Sequence, residues 1–332
     1  MKTALILSGG GFKGAFQYGA IKYLLENDIK IDFVAGISAG ALNGSLVASC
    51  NYEALDSMWE LVRENGSSEI FSHKFIDISG DMSINWSNIY RYFFSDQNPI
   101  TLLTKGGKSR FSKKMQNFDS LTNSDPLRKK LNILRLEDFK IPFLTGAVSL
   151  DSGELCVATN EDFNDDFQFR SFVESSACMP IICQPIKLVK TKDHNFTNLV
   201  DGGIRTIAPI SQSINYFKET GEDWRIILIN CNSDKMTPDL PTNIAKIGLR
   251  SLNEIALNQI FKNDLSLVKL INKFVSASGK YEIGGYKNYP IKVISPDGLD
   301  IGETLDCSKS IIEKRLNLGF KIAKKIFSDD KW

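Results

Sequence analysis

The chain has 332 residues, 42% hydrophobic and 24% charged, the make-up of a globular protein with room for one large domain or two small ones. Forty basic residues against thirty-nine acidic leave a formal charge of +1, so nothing global pulls it toward nucleic acid, and no nucleic-acid partner is expected. The apolar run Ala4–Leu7 is too short for a signal-peptide core, and nothing approaches the ~18 apolar residues of a bilayer span, so a cytoplasmic protein is expected. Six scattered cysteines without a Cys-x-x-Cys or nearby histidine pairs argue against a disulfide framework and against zinc.

Residues 2–8 are an apolar run stopped by Gly9-Gly10-Gly11, which predicts a buried strand. Ala15, Tyr18, Ile21, Leu24 and Leu25 then recur at helical spacing over 14–27. Residues 32–37 predict a second buried strand, and 39–48 a helix of small residues. That alternation predicts a parallel sheet with both faces covered. A helix follows at 51–64, and from 66 to 120 the pattern breaks down into an insert or cap. The runs 142–150 and 154–159, joined by Asp151-Ser152-Gly153, predict a hairpin. Further strands are expected at 186–190, 197–201, 225–231 and 291–295, and helices at 243–274, broken or continuous, and 309–327. The whole chain, 1–332, reads as a single α/β domain interrupted by that insert.

Gly36-Ile37-Ser38-Ala39-Gly40 is a Gly-x-Ser-x-Gly pentapeptide between a predicted strand and a predicted helix. A turn so tight needs small flanks, here Gly36 and Gly40. It lifts the serine hydroxyl above the sheet edge, and the helix N-terminus behind it favours developing negative charge. Ser38 is the candidate nucleophile; the competing reading is a glycine-rich turn with an incidental serine. Gly9-Gly10-Gly11-Phe12-Lys13-Gly14 also lies between strand and helix, and its Gly9, Gly11 and Gly14 satisfy the dinucleotide fingerprint. That use wants an acid at the far end of the next strand. Asp32 stands at the near end, and Ser38 just past the far one. The loop therefore reads as an oxyanion hole, with the N–H groups of Gly9, Gly10 and Gly11 aimed at the space above Ser38. Lys13 either adds positive charge, pins the loop, or is a solvated first-turn lysine.

A Ser-His-Asp triad needs a histidine, and the chain has two. His73 falls in the insert and His194 in a polar stretch that predicts a hairpin turn. Both read as surface residues. Asp201-Gly202-Gly203 is the better partner for Ser38: Val200 ends an apolar run, Asp201 follows at the strand end where ligands gather in open α/β sheets, and two glycines let the backbone turn. An ordinary Asp-Gly hairpin turn is the alternative.

Glycine loop, serine elbow and strand-end aspartate, in that order, resemble the patatin-like phospholipase family over most of the chain. Ser175-Ser176-Ala177-Cys178-Met179-Pro180, continuing to Pro185, is similar to the family's small-residue segment ending in proline. Asp201-Gly202-Gly203 matches its Asp-Gly-Gly/Ala motif, and Asp125-Pro126-Leu127-Arg128 its short Pro-Leu signal. Lys13 departs from the pattern, because the family more often has arginine there and lysine loses the bidentate geometry. The resemblance implies a three-layer α/β/α fold with a mostly parallel central sheet and an irregular cap. It also implies a Ser38–Asp201 dyad without histidine, and lipid esters of the phospholipase A or lysophospholipase kind as substrate. No cofactor is expected, and no metal, since no acidic loop has calcium spacing.

Three segments bear on lipid contact. Trp86, Ile89, Tyr90, Phe93 and Phe94 form an aromatic helical face that would cover an acyl pocket, touch a membrane or face the core. Lys105, Lys108, Arg110, Lys113 and Lys114 would meet anionic head groups or form a solvated loop. The C-terminal helix pairs Leu316, Phe320, Ala323 and Phe327 with Lys314, Arg315, Lys321, Lys324 and Lys325, and would lie on a bilayer or dock on the protein. Transient membrane contact is the expected partner surface, with the oligomeric state open. The alternatives are an esterase or thioesterase for small soluble esters, and a nucleotide-binding protein that uses the glycine loop.

Overall fold

Strand β1 (Lys2–Leu7) is buried from Thr3 onward, as a strand with helices on both faces must be. The computed structural model describes residues 1–73, 75–77, 83–94, 112–114, 118–233, 247–248 and 250–328. A 3-10 turn (Gly11–Lys13) leads from β1 into α1 (Gly14–Glu26), followed by β2 (Phe33–Gly36), α2 (Ala39–Ala48) and α3 (Tyr52–Asn65). Next come α4 (Trp86–Phe94), α5 (Asp125–Leu131), and the hairpin β3 (Phe143–Ser149) with β4 (Leu155–Thr159). α6 (Asp166–Ser176) precedes a second hairpin, β5 (Ile186–Lys190) with β6 (Asn195–Asp201). The order ends with α7 (Ile210–Thr220), β7 (Trp224–Ile229), α8 (Leu257–Ala277), β8 (Ile291–Ile294) and α9 (Lys309–Ser328).

The eight strands form one sheet in the order β8-β7-β1-β2-β3-β6-β5, with β4 on β3. The pairs from β8 through to β3 are parallel, and those among β3, β4, β5 and β6 antiparallel. Alternate residues of β1 enter different cores. Leu5 and Leu7 pack with Ala15, Phe16, Leu46 and Ile312; Ala4 and Ile6 pack with Ile214, Phe217, Phe261 and Val268. Helices α1, α2 and α9 thus cover one face and α7 and α8 the other, giving three layers.

Strand β3 decides where the site forms. β4 runs along Leu144–Val148 and occupies one of its edges. β2 pairs with Phe143–Thr145 and β6 with Ala147–Ser149, so both share the other edge, end to end. β2 is parallel to β3 and β6 antiparallel, so their C-terminal ends meet head-on at Gly146. A Cβ on Gly202 would lie 2.4 Å from the Gly146 carbonyl oxygen, which shows how tight that meeting is.

Each main-sheet strand expected from the sequence is present. Within the insert the described parts are more ordered than expected: Ser72–His73 pairs with Thr122–Asn123, and Ile76–Asp77 with Ser83–Ile84. The expected helix at 243–274 takes the form of a π-helical stretch, Arg250–Ala256, running into α8. Helix α9 docks rather than lying free for a bilayer, burying Ile312, Ala323 and Phe327. It crosses α1 backbone to backbone: a Cβ on Gly19 would come 2.0 Å from the Leu316 carbonyl, and one on Gly319 2.0 Å from that of Phe16.

Candidate active site

Ser38 stands between β2 and α2 with φ 56° and ψ −124°, a backbone state that costs an L-residue about 1–3 kcal/mol unless its surroundings enforce it. They do. A Cβ on Gly36 would come 2.1 Å from the Gly40 carbonyl, and one on Gly40 2.4 Å from that of Leu7, so the elbow closes against β1 only with glycine at both places. The Ser38 N–H donates to Ser176 Oγ (3.2 Å), and the Thr145 hydroxyl donates to the Gly36 carbonyl (2.8 Å). Behind the elbow, Trp59 Nε1 donates to Asn43 Oδ1 (2.8 Å), Asn43 Nδ2 to Gln17 Oε1 (3.0 Å), and Gln17 Nε2 to the Ser8 carbonyl (2.6 Å). This chain of amides ties three helices to the start of the glycine loop.

The loop itself has little but backbone to offer. Gly11 has φ 53°, and a Cβ there would meet the Thr304 carbonyl and Cγ2 at 2.9 Å; a Cβ on Gly10 would come 2.5 Å from Cys231 Cβ. The Gly9 N–H donates to the Ile207 carbonyl (2.7 Å), Phe12 to Thr304 (3.0 Å) and Lys13 to Gly10 (3.0 Å). Gly14 N–H turns back on Gly11 and Phe12. Gly9 is therefore not a donor toward Ser38, which corrects its place in the expected trio. Gly10 and Gly11 line the space beside Ser38. Lys13 is only 5% exposed, so the solvated reading of it does not hold.

The segment that carries Thr304 is held from behind. Arg315 of α9 is fully buried and donates to three carbonyls, those of Ile301 (2.8 Å), Glu303 (2.6 Å) and Asp306 (2.6 Å). Burial lowers its guanidinium to about 10, which still leaves it charged at neutral pH. Nothing in the residue pattern marks Thr304 or Cys231, and Arg315, which the pattern sets on the basic side of the C-terminal helix, is buried instead. Cys231 and Thr304 act through volume and a main-chain carbonyl, which have no motif.

Asp201 closes the site from the opposite side. It is 5% exposed, its N–H donates to the Cys178 carbonyl (2.8 Å), and its Oδ1 accepts from the Gly203 N–H (2.7 Å). Burial pushes the carboxyl up to about 6, against the opposing pull of hydrogen bonds from the Ser38 side chain and Gly203. His194 is exposed in the β5–β6 turn and stacks on Phe196. The backbone of His73 pairs with Thr122. The segment 175–180 contributes Ser176 to the elbow, the Cys178 carbonyl to Asp201, and Met179 to the wall. In the Asp125–Arg128 segment Leu127 lines the cavity, while Arg128 pairs with the buried Glu174 (2.9 Å) and fastens α5 to α6.

Ser38, Asp201, Gly11 and Met179 stand between two open cavities. The first, about 650 Å³, is walled by apolar side chains, among them Leu42, Trp59, Val62, Phe71, Leu127 and Ile182. The second, about 400 Å³, is bordered by Gly10, Gly203, Ile204, Ile207, Asn232 and Thr304. Of the segments expected to meet lipid, α4 turns Phe93 inward against Phe118 and leaves Tyr90 exposed. Lys105, Lys108 and Arg110 lie outside the described residues. Among the described residues no helix is long and apolar enough to cross a membrane, and no group of three or more His, Cys, Asp or Glu is placed to hold a metal ion.

A sequence model of patatin-like phospholipases matches residues 5–214. A patatin-like phospholipase domain-containing protein of Coccidioides immitis is 42% identical over 57 residues, 17% of this chain and 8% of that relative. Lysophospholipase nte1 of Aspergillus terreus is 52% identical over 46 residues, 14% of this chain and 3% of that protein. The matches thus span only a small fraction of those relatives' length. Among solved structures, VipD from Legionella pneumophila aligns over 99% of this chain and 67% of its own, with a TM-score of 0.41 and 13% identity. The family match covers well over half of the sequence and contains the glycine loop, the elbow and Asp201 alike: the chain belongs to the patatin-like phospholipase family.

Proposed function

We propose that the protein is a lipid acyl hydrolase of the phospholipase A or lysophospholipase type, working through a Ser38–Asp201 dyad and an acyl-enzyme. The observation that carries this reading is the strained Ser38 beside a buried carboxylate, at the mouth of an apolar cavity. A carboxylate of ordinary pKa is a poor base for a hydroxyl, and burial supplies the missing basicity.

In the first step Asp201 accepts the Ser38 proton as Oγ attacks the ester carbonyl. The oxyanion that forms is met by the N–H groups of Gly10 and Gly11, with the N-terminus of α2 adding its dipole. Collapse of the tetrahedral species breaks the ester C–O bond, and the proton on Asp201 passes to the leaving alkoxide. Water then gives a proton to Asp201 and attacks the acyl-enzyme, and Ser38 regains its proton as the fatty acid leaves. The two cavities fit the two halves of an ester: the larger, apolar one takes the acyl chain, where each buried methylene is worth about 0.8 kcal/mol. That preference favours long-chain over small soluble esters. Transient contact with a lipid surface follows from such a substrate. The nucleotide reading is disfavoured, because the Gly9 and Phe12 N–H groups that a phosphate cradle needs are spent on Ile207 and Thr304.

The test combines fluorophosphonate labelling with a panel of phospholipids, lysophospholipids, acylglycerols and short p-nitrophenyl esters. Labelling confined to Ser38, and hydrolysis that vanishes in Ser38→Ala, are expected. Undiminished hydrolysis by purified Ser38→Ala would sink the proposal.

A further inference from the structure

Ser175 and Ser176 stand side by side at the end of α6, both fully buried, and their hydroxyls do opposite things. Ser175 bonds back to its own helix, donating to the Phe172 carbonyl (2.7 Å), the ordinary habit of a helical serine. Ser176 reaches out of the helix. Its Oγ lies 3.2 Å from the Ser38 nitrogen and 3.1 Å from Thr145 Oγ1, which in turn lies 2.8 Å from the Gly36 carbonyl oxygen. What each group can donate fixes the direction of these bonds. A carbonyl only accepts, so Thr145 spends its one proton on Gly36 and accepts from Ser176. Ser176 therefore donates to Thr145 and accepts from the Ser38 N–H. The relay runs from Ser38 through hydroxyls of two other elements and back to Gly36, each hydroxyl donating once and accepting once.

The relay acts on a strained backbone, and Ser38 sits between two peptide planes. The plane after it is held by α2, whose Ala41 and Leu42 N–H groups donate to the Ser38 carbonyl (2.8 and 3.2 Å). The plane before it has its carbonyl, that of Ile37, taken by the Gly40 N–H (2.8 Å), and its own N–H taken by Ser176. With both planes held, φ and ψ of Ser38 are fixed. The Gly40 and α2 bonds belong to the elbow itself and close it on itself. The Ser176 bond ties the elbow outward, toward Asp201. Two residues beyond Ser176, the Cys178 carbonyl accepts from the Asp201 N–H (2.8 Å). Ser38 follows β2 and Asp201 ends β6, strands that meet through β3 and do not pair with each other. One three-residue segment thus holds the backbones of both.

We infer that Ser176 is a positioning residue of the dyad: its hydroxyl, oriented by Thr145, holds the Ser38 backbone in its strained state and sets the spacing of Ser38 from Asp201. This inference rests on the acyl-hydrolase reading and deepens it with a residue that touches neither the substrate nor the proton in transit. Without that hydroxyl the Ser38 backbone relaxes and its Oγ moves off the carboxylate. The hydrogen bond from Ser38 holds the Asp201 carboxyl down against burial, so its loss lets the carboxyl rise further.

The experiment measures kcat, KM and the pH dependence of kcat/KM on a soluble p-nitrophenyl ester, per Ser38 titrated with a fluorophosphonate. The full chain is compared with Ser176→Ala, Thr145→Val and the double variant. Ser176→Ala is expected to lose about tenfold in kcat, the worth of one buried hydrogen bond, with KM little changed. Its pH limb should move to higher pH. Thr145→Val keeps the shape of the side chain and removes the orienting hydroxyl, so its loss and its shift should be smaller. The double variant should lose no more than Ser176→Ala, because both changes break one relay. If Ser176→Ala does not fold, the kcat and limb of Thr145→Val decide the matter alone. A residue that only props the fold would lower the thermal midpoint and leave kcat per titrated site and the limb unmoved. That result overturns the inference, and so do losses that add in the double variant; in both cases Ser38 still labels and the acyl-hydrolase reading stands. An unaltered chain that neither labels at Ser38 nor cleaves the ester would overturn both.

Discussion

Two stretches of chain build this site, and they contribute different things. Residues 5–214, the part the family model covers, carry Ser38, Asp201 and the bare backbone of Gly10 and Gly11. Residues beyond 214 supply Cys231 and Thr304, which press on that backbone from behind, and Arg315, which holds the segment that carries Thr304. The glycine loop has no side chains to anchor it at its two central positions, so its place is set by whatever packs against it. The proposed chemistry lives in one stretch and the loop's rigidity in the other. If the division is right, damage in the first should abolish turnover with little loss of fold, and damage in the second should cost both.

Asp201→Asn sets the upper limit of effect on the first stretch. Hydrolysis should fall by about 10²–10⁴-fold, the usual range for loss of a general base. Stability should move the other way. The native carboxyl titrates near 6, above its ordinary value, so the folded state binds a proton more tightly than the unfolded one. Stability therefore declines as pH rises from about 4 to about 6, and above that the native protein holds an ionised carboxylate at a cost of about 2–3 kcal/mol. Asparagine removes the charge and can still accept from the Gly203 N–H. Denaturant unfolding at pH 8 should show Asp201→Asn to be the more stable protein, with the gap closing near pH 4. A less stable variant at pH 8 would mean that the buried charge is compensated in some other way.

Gly10→Ala tests the seam between the stretches. The new Cβ would fall 2.5 Å from Cys231 Cβ, so the loop must move. A displaced oxyanion donor costs about a hundredfold or more in kcat. Because the obstacle is a side chain of the second stretch, Cys231→Gly in the same chain should recover much of the loss, an interaction a double-mutant cycle measures directly. Absence of rescue would mean that the loop fails for a reason internal to itself.

Arg315→Met reaches deeper into the second stretch and should cost about 3 kcal/mol or more, since three buried carbonyls lose their donor. The effect on turnover should be smaller, about tenfold in kcat with KM little changed, because the arginine reaches the loop only through Thr304. Arg315→Lys keeps the charge and part of the bonding and should recover some of the kcat. A folded Arg315→Met protein with full kcat would reduce the second stretch to a scaffold.

The same division explains what the sequence disclosed. The elbow was legible because a strand-to-helix turn over Ser38 demands glycine at 36 and 40, and that demand is written in residue types. The strands of the main sheet were legible from their apolar runs. Helix α6 was not, because its buried side mixes Phe169, Phe172 and Val173 with Ser171, Glu174, Ser175 and Ser176, so no clean apolar period survives. Helix α7 does carry Ile210, Ile214 and Phe217 at the right spacing, a signal that could have been read. Gly9 looks like its neighbours because three adjacent glycines are alike in sequence; only the Ile207 carbonyl sets it apart. The meeting of β2 and β6 at Gly146 is invisible in any local pattern, since it depends on β3 sharing one edge between two strands.

The smallest expected effect is on pH dependence, and it separates the carboxylate from the histidines. With Asp201 as base, kcat/KM on a soluble ester should rise with pH through about 6, half of the limiting value being reached there and about a tenth one unit lower. A histidine of ordinary pKa would give a limb near 6.5, too close to distinguish by position alone. The protein has only His73 and His194, so both can be replaced by glutamine at once without touching Ser38 or Asp201. The limb should survive that replacement at the same pH. Its disappearance would return the proton to a histidine and undo the dyad, whereas its persistence would assign the titration to the carboxylate that burial has raised.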